Sequence, residues 1–287
     1  MLPAMNSTLK LWTQLGLGTA LAGGLLAACG GEAGGEAGAG EAGVAPGTAA
    51  TAGEGEGGAG EGEGGAGGEG EGGVAVADAA KDPVAYGIAL AVTEAHVVAA
   101  RDAYAAGKKE AAAEMFAHPV SEVLVEMDPV FAKLGVADFK PLLTAASVAA
   151  VEGRPAAEVN KTYDAIIAAL RGAAQKAPKT DASAARVAAG VIADQIERAS
   201  AMYRQLSKDD AYEPYLDGYG FARVAEGAFA ASGAAIKAEN AALHARIGEA
   251  LAVLRQAYPG AARPATLLIE PGALSGASAK VMLAAAG

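Results

Sequence analysis

Residues 155–206 read PAAEVNKTYDAIIAALRGAAQKAPKTDASAARVAAGVIADQIERASAMYRQL, and this stretch decides the fold class. Val159, Tyr163, Ile166, Ile167 and Leu170 recur at intervals of three and four, which places them on one stripe of an α-helix. The spacing predicts an amphipathic helix over 155–176, with Pro178 ending it because proline has no N–H to donate. Asp181 or Ser183 is suited to open a longer helix to about Leu206, with Val187, Val191, Ile192, Ile196, Ala199 and Tyr203 on its apolar side.

The same grammar extends in both directions through 74–287. Asp82-Pro83 starts a helix that runs to Ala106, and Gly107-Lys108-Lys109 turns the chain into a second helix of about Lys109 to Ala117. His118-Pro119 breaks or restarts it, Asp128-Pro129 offers another break before Leu134, and Asp138 caps a segment that ends at Glu152. After Ser207–Asp210 the pattern predicts helices of about 213–231 and 234–257, stopped by Tyr258-Pro259-Gly260, and then a short helix from Ser275. Strict alternation is confined to Thr266–Ile269, so no β-domain is expected. The expectation is an all-α protein: an antiparallel bundle of six to seven helices over 74–287, with its core in about 83–258.

Upstream, composition changes sharply. Lys10 precedes an apolar run from Leu11 to Leu26 that is shorter than the roughly 20 residues a membrane-spanning helix needs, and Leu26-Ala27-Ala28-Cys29 follows. This resembles a bacterial lipoprotein signal. The resemblance implies removal of residues 1–28, acylation (palmitate-type chains) of Cys29 and a membrane anchor on the periplasmic side of the cell envelope; an ordinary secretory signal is the alternative. Gly30 in place of Asp after the cysteine implies the outer membrane where the source has two. From Gly30 to Gly73 the chain holds 21 Gly and 9 Glu in 44 residues, with no Lys, Arg or aromatic residue. Such a segment buries too little apolar area to offset its ordering entropy, so 29–73 is expected to be an acylated cysteine on a disordered tether. Its r.m.s. span as a Gly-rich coil is roughly 35–40 Å.

Nine of the 33 acidic residues lie in that tether, so the formal charge of -11 belongs mostly to it. The remainder carries 24 acidic and 21 basic residues, without the basic patch that nucleic-acid binding requires. Acylation of Cys29, the one cysteine, leaves no thiol for disulfides, thiolate catalysis or Cys-ligated metal.

Three histidines are present, and two form a level pair. His96 lies 11 residues before Gly107 and His118 lies 11 after it, so a helical hairpin turning at Gly107 carries both to the same height. Glu122, four residues after His118, shares its face if the helix continues through Pro119; Glu94 and Ser121 are further candidates. Two imidazoles with carboxylates suit Fe, Zn, Cu or Mn better than Ca or Mg. The competing reading makes His118 an N-cap before Pro119 and His96 a satisfied core or surface residue, and His244 reads as a surface residue. A second cluster, Tyr203, Tyr212, Tyr215, Asp217, Tyr219 and Phe221, is either a packing seam or, through Tyr215, Asp217 and Tyr219, a polar cleft or a set of iron ligands. Zinc-protease, P-loop and nucleophile-elbow motifs are missing, so a non-enzyme is expected.

A helix bearing His96, a hairpin, His118-Pro119-Val120-Ser121-Glu122 and a later Tyr-rich segment ending Tyr219-Gly220-Phe221 resemble imelysin-like proteins and related periplasmic components of bacterial iron uptake, over about 84–258. The resemblance implies a helical, exported or lipid-anchored protein that binds iron or copper or assists its uptake through an envelope partner. The family signature is Gly-x-His-x-x-Glu, whereas this chain reads Glu94-Ala95-His96-Val97-Val98-Ala99. Of that signature only the histidine carries over, and Glu122 would supply the carboxylate from the next helix. The proposed ligands are therefore His96, His118 and Glu122. The alternatives are an envelope interaction module that docks a protein partner without metal, and a relative that kept the fold and lost the site.

Overall fold

The computed structural model describes residues 73–208 and 211–286. The apolar leader, Cys29 and the Gly/Glu-rich stretch through residue 72 lie outside the described residues. Among the described residues there is no strand, and nine helices follow a single turn at Val76–Ala79. They are α1 (Pro83–Ala105), α2 (Lys109–Pro119), α3 (Val125–Leu134), α4 (Lys140–Val151), α5 (Ala156–Ala174), α6 (Ala184–Gln205), α7 (Tyr212–Glu239), α8 (Ala241–Ala257) and α9 (Pro271–Ala286). The protein is an all-α helical bundle. It has more helices than the six to seven expected, and the tail forms a full helix where a short one from Ser275 was expected.

α1 occupies the centre, packed against α2, α5, α6 and α7. Fifteen of its 23 residues are buried, which is why its sequence is apolar on all sides. It is also the one described helix long and apolar enough to cross a membrane, and 78% of that apolar window is buried inside the protein. The Asp82 side chain accepts from Val84 N–H at 2.8 Å, with Pro83 at the first helical position. At the other end Gly107 adopts φ +78°, so that Gly107 N–H reaches Tyr104 O and Lys108 N–H reaches Ala103 O. That left-handed turn folds α2 back along α1.

Two predicted breaks are absent and one lies elsewhere. Pro119 is the last residue of α2 but does not interrupt the helical course of the chain: the ladder loosens into a π turn, Val120–Leu124, in which Val125 N–H reaches back five residues to Val120 O, and α3 continues through Pro129. A proline cannot donate to the turn behind it, and the wider turn absorbs the missing bond. Gly233 sits inside α7, with Ser232 Oγ donating to Ala228 O at 2.6 Å; the break comes at Asn240, whose side chain accepts from Leu243 N–H at 2.9 Å. Of the two candidate caps before α6, Ser183 serves, accepting from Arg186 N–H at 3.0 Å.

The core extends beyond 83–258. α9 buries Leu274, Ser278 and Val281 and packs on α6 and α8. The segment leading to it is pinned by tyrosines: Tyr212 donates to Ala261 O (2.7 Å), Tyr215 to Gly260 O (2.6 Å) and Tyr203 to Ile269 O (3.2 Å). At the start, Val74 is buried and Gly73 O accepts from Arg198 at 2.6 Å, so Gly73, counted in the tether from sequence, already belongs to the bundle.

Candidate metal centre

Four elements converge on one site. His96 comes from the middle of α1, His118 from the last turn of α2, Glu122 from the π turn, and Glu213 and Asp217 from the first turns of α7. The hairpin at Gly107 brings the His96 and His118 rings to 6.0 Å between centroids, edge to face. α7 reaches α1 through Gly220: a Cβ there would stand 2.3 Å from the Ala95 carbonyl oxygen, so only glycine allows this backbone approach beside His96.

His96 is 5% exposed, and its Nδ1 lies 2.8 Å from the carbonyl oxygen of Val92. A carbonyl only accepts, so Nδ1 carries the hydrogen and Nε2 presents a lone pair to the site. Burial, with the nearby Arg198 charge adding a smaller push the same way, lowers the affinity of this imidazole for a second proton. The neutral Nε2 nevertheless faces two carboxylates, Asp217 Oδ1 at 3.4 Å and Glu122 Oε2 at 3.5 Å. His118 stands between two more contacts: Nδ1 is 3.8 Å from Glu122 Oε1 and Nε2 is 3.8 Å from Glu213 Oε1.

A lone pair ringed by carboxylate oxygens is repulsive unless a proton or a metal cation lies among them. Asp217 Oδ1 is buried and accepts no hydrogen bond, and burial raises its carboxyl to about 7, with the other carboxylates adding to the shift. The 3.4 Å separation is too long for a shared hydrogen bond. It fits a different occupant. Donor atoms roughly 2.0–2.2 Å from a first-row metal stand about 3.3–3.6 Å apart at the corners of a tetrahedron. One donor atom from each of His96, His118 and Asp217 already lies within 4.8 Å of the others. The backbone bond to His96 Nδ1 also matches the way metal-binding imidazoles are usually oriented. The His96–Asp217 and His96–Glu122 separations match those between ligands of one first-row metal, and a donor of His118 lies within 4.8 Å of His96 and Asp217.

The structure places Glu122 3.5 Å from His96 and 3.8 Å from His118, but the donor cluster within 4.8 Å is His96, His118 and Asp217 and does not include Glu122. It separates the proposed cleft of Tyr215, Asp217 and Tyr219. Two residues along a helix turn about 200°, so Asp217 points to the histidines while Tyr215 packs against Tyr258 at 5.4 Å and donates to Gly260 O. Tyr219 donates to Asp102 Oδ2 at 2.7 Å. The tyrosine run is thus a packing seam, with burial pushing the Tyr215 phenol up to about 12. Glu94 is turned away, held by Arg171 through two bonds of 2.5 Å, and Ser121 Oγ donates to His118 O at 3.3 Å. His244 is half-buried, with its ring 4.9 Å from Phe229.

Glu213 was missed in sequence, as was the partnership of Asp217 with the histidines. The available signal was a repeated spacing: His118-x-x-x-Glu122 on one element and Glu213-x-x-x-Asp217 on another each place two donors on one helical face. Comparison with known families, curated proteins and solved structures finds no match to this chain.

Proposed function

We propose that this protein is a lipid-anchored cell-envelope protein whose helical domain holds a transition-metal ion, iron or copper, and takes part in its uptake without catalysing a reaction. The ligands are His96, His118, Glu122 and Asp217. The observation that carries this reading is the neutral, backbone-oriented His96 Nε2 facing the buried, unpaired Asp217 Oδ1 at 3.4 Å and Glu122 at 3.5 Å. Two imidazoles and two carboxylates are borderline donors suited to Fe, Cu, Zn or Mn. Anchorage rests on the lipoprotein-like segment ending at Cys29, and a role in uptake rests on the resemblance to imelysin-like proteins. The docking-module reading draws on the exposed Leu283 and Met282 of α9, two neighbouring side chains that fall short of an interaction patch.

Thermal melting of the purified protein with and without stoichiometric Fe(II), Cu(II), Zn(II) and Mn(II) tests the assignment, because a ligand that binds only the folded state raises the midpoint. The expected result is a rise of several degrees with at least one metal, abolished in His118→Ala while helicity is retained. Flat curves for every metal overturn the reading and favour the docking module or a site lost in evolution.

A further inference from the structure

The metal reading leaves Glu213 unused, although its carboxylate stands 3.8 Å from His118 Nε2. A neutral imidazole has one N–H and one lone pair, so what holds the N–H decides which nitrogen can bind an ion. At His96 that choice is made by Val92 O. Among the described residues no backbone group bonds a ring nitrogen of His118, whose two nitrogens face different carboxylates. The nitrogen on the Glu122 side, Nδ1, opens onto the space shared with His96, because the other oxygen of Glu122 lies 3.5 Å from His96 Nε2. The Glu213 side faces outward: Glu213 is 59% exposed, against 29% for Glu122 and 17% for Asp217.

Resting on the metal-binding reading, we infer that Glu213 is a positioning residue: its carboxylate takes the Nε2 hydrogen of His118, turns Nδ1 toward the ion and so sets the affinity of the site. Charge supports this role over direct contact. A divalent ion is neutralised by Glu122 and Asp217, and a third carboxylate touching it would leave a net negative centre beside a buried imidazole. Held behind His118, the same charge makes the imidazole a better donor. Glu213 must close by about 1 Å to reach hydrogen-bond range. An exposed side chain in the first turn of α7 has that freedom, and such contacts commonly tighten on ligand binding.

The test titrates the full-length protein with Co(II), whose visible bands report its ligands, alongside Glu213→Ala, Glu213→Gln and His118→Ala. Glu213→Ala is expected to bind about 10–100-fold more weakly with the wild-type band shape. Glu213→Gln, whose amide oxygen still accepts a hydrogen, recovers most of that loss, and metal-free melting is unchanged in both. Wild-type affinity in Glu213→Ala overturns the inference. So does a band shift in both Glu213 variants matching that of His118→Ala, which makes Glu213 a direct ligand. Wild-type protein that takes up no Co(II) overturns the metal reading itself, and this inference with it.

Discussion

At Asp217, folding and ion binding pull in opposite directions. Burial raises its carboxyl to about 7, while the unfolded chain titrates near the ordinary aspartate value of about 4. A group with a raised folded pKa contributes stability that is complete below the unfolded value and lost as pH rises through the folded one, here between about 4 and 7. At pH 8 without metal, the folded protein therefore carries a buried carboxylate whose Oδ1 has no hydrogen-bond donor, beside Glu122 and a neutral His96. Asp217→Asn removes that charge at nearly constant volume. In chelator at pH 8 the variant is expected to melt several degrees above wild type, and the difference should vanish near pH 4. With metal the order reverses, because the wild type gains a cation and the variant does not. A chelated variant that melts below wild type at pH 8 would mean that Asp217 is held by structural contacts and is not poised for an ion.

At the level of elements, the site exists because three helical segments cross at small residues. The α1–α2 half was legible in part: constant helical rise and the turn at Gly107 put His96 and His118 at the same height, while which way their rings face is set by the packing that brings them together. Glu122 followed once the chain remained helical through Pro119. The α7 half was not legible, since no local pattern states which face of a helix a distant partner will cover. The tyrosines drew attention to the wrong face, and the trace of the right contact was Gly220, two residues after Gly218. A Cβ at Gly220 would meet the Ala95 backbone at 2.3 Å, where no flexible side chain can yield. Gly220→Ala is thus expected to push α7 from α1 and cost about 1–3 kcal/mol in denaturant unfolding. It should also shrink the metal-induced rise in melting midpoint, because the His96–Asp217 distance is set one residue from the clash. An unchanged metal response in a destabilised Gly220→Ala would show that the crossing does not set the site.

At the scale of the whole molecule, α9 packs on helices other than those that bear the candidate site. The four proposed ligands and Glu213 sit on α1, α2, the π turn and α7, whereas α9 is secured on α6 and α8 through Leu274 and Val281. The sequence understated this tail because α9 is rich in Ala and Gly and has no strong apolar stripe. Its docking depends on Tyr203, more than 60 residues earlier, which accepts from Leu268 and Ile269 N–H at 3.1 Å. Perturbing the tail should therefore lower stability and leave binding alone, since distant sites contribute nearly additively. Leu274 is fully buried, so Leu274→Ala removes packing that its neighbours refill only in part, at a cost of about 2–5 kcal/mol. For a domain of this size that corresponds to a fall of roughly 5–15 °C in midpoint. The rise on adding metal should keep its wild-type size, in contrast to Gly220→Ala at similar or smaller loss of stability. Melting both variants with and without the metal checks the separation; a metal response lost along with stability in Leu274→Ala would mean that the bundle transmits strain from α9 to the histidines.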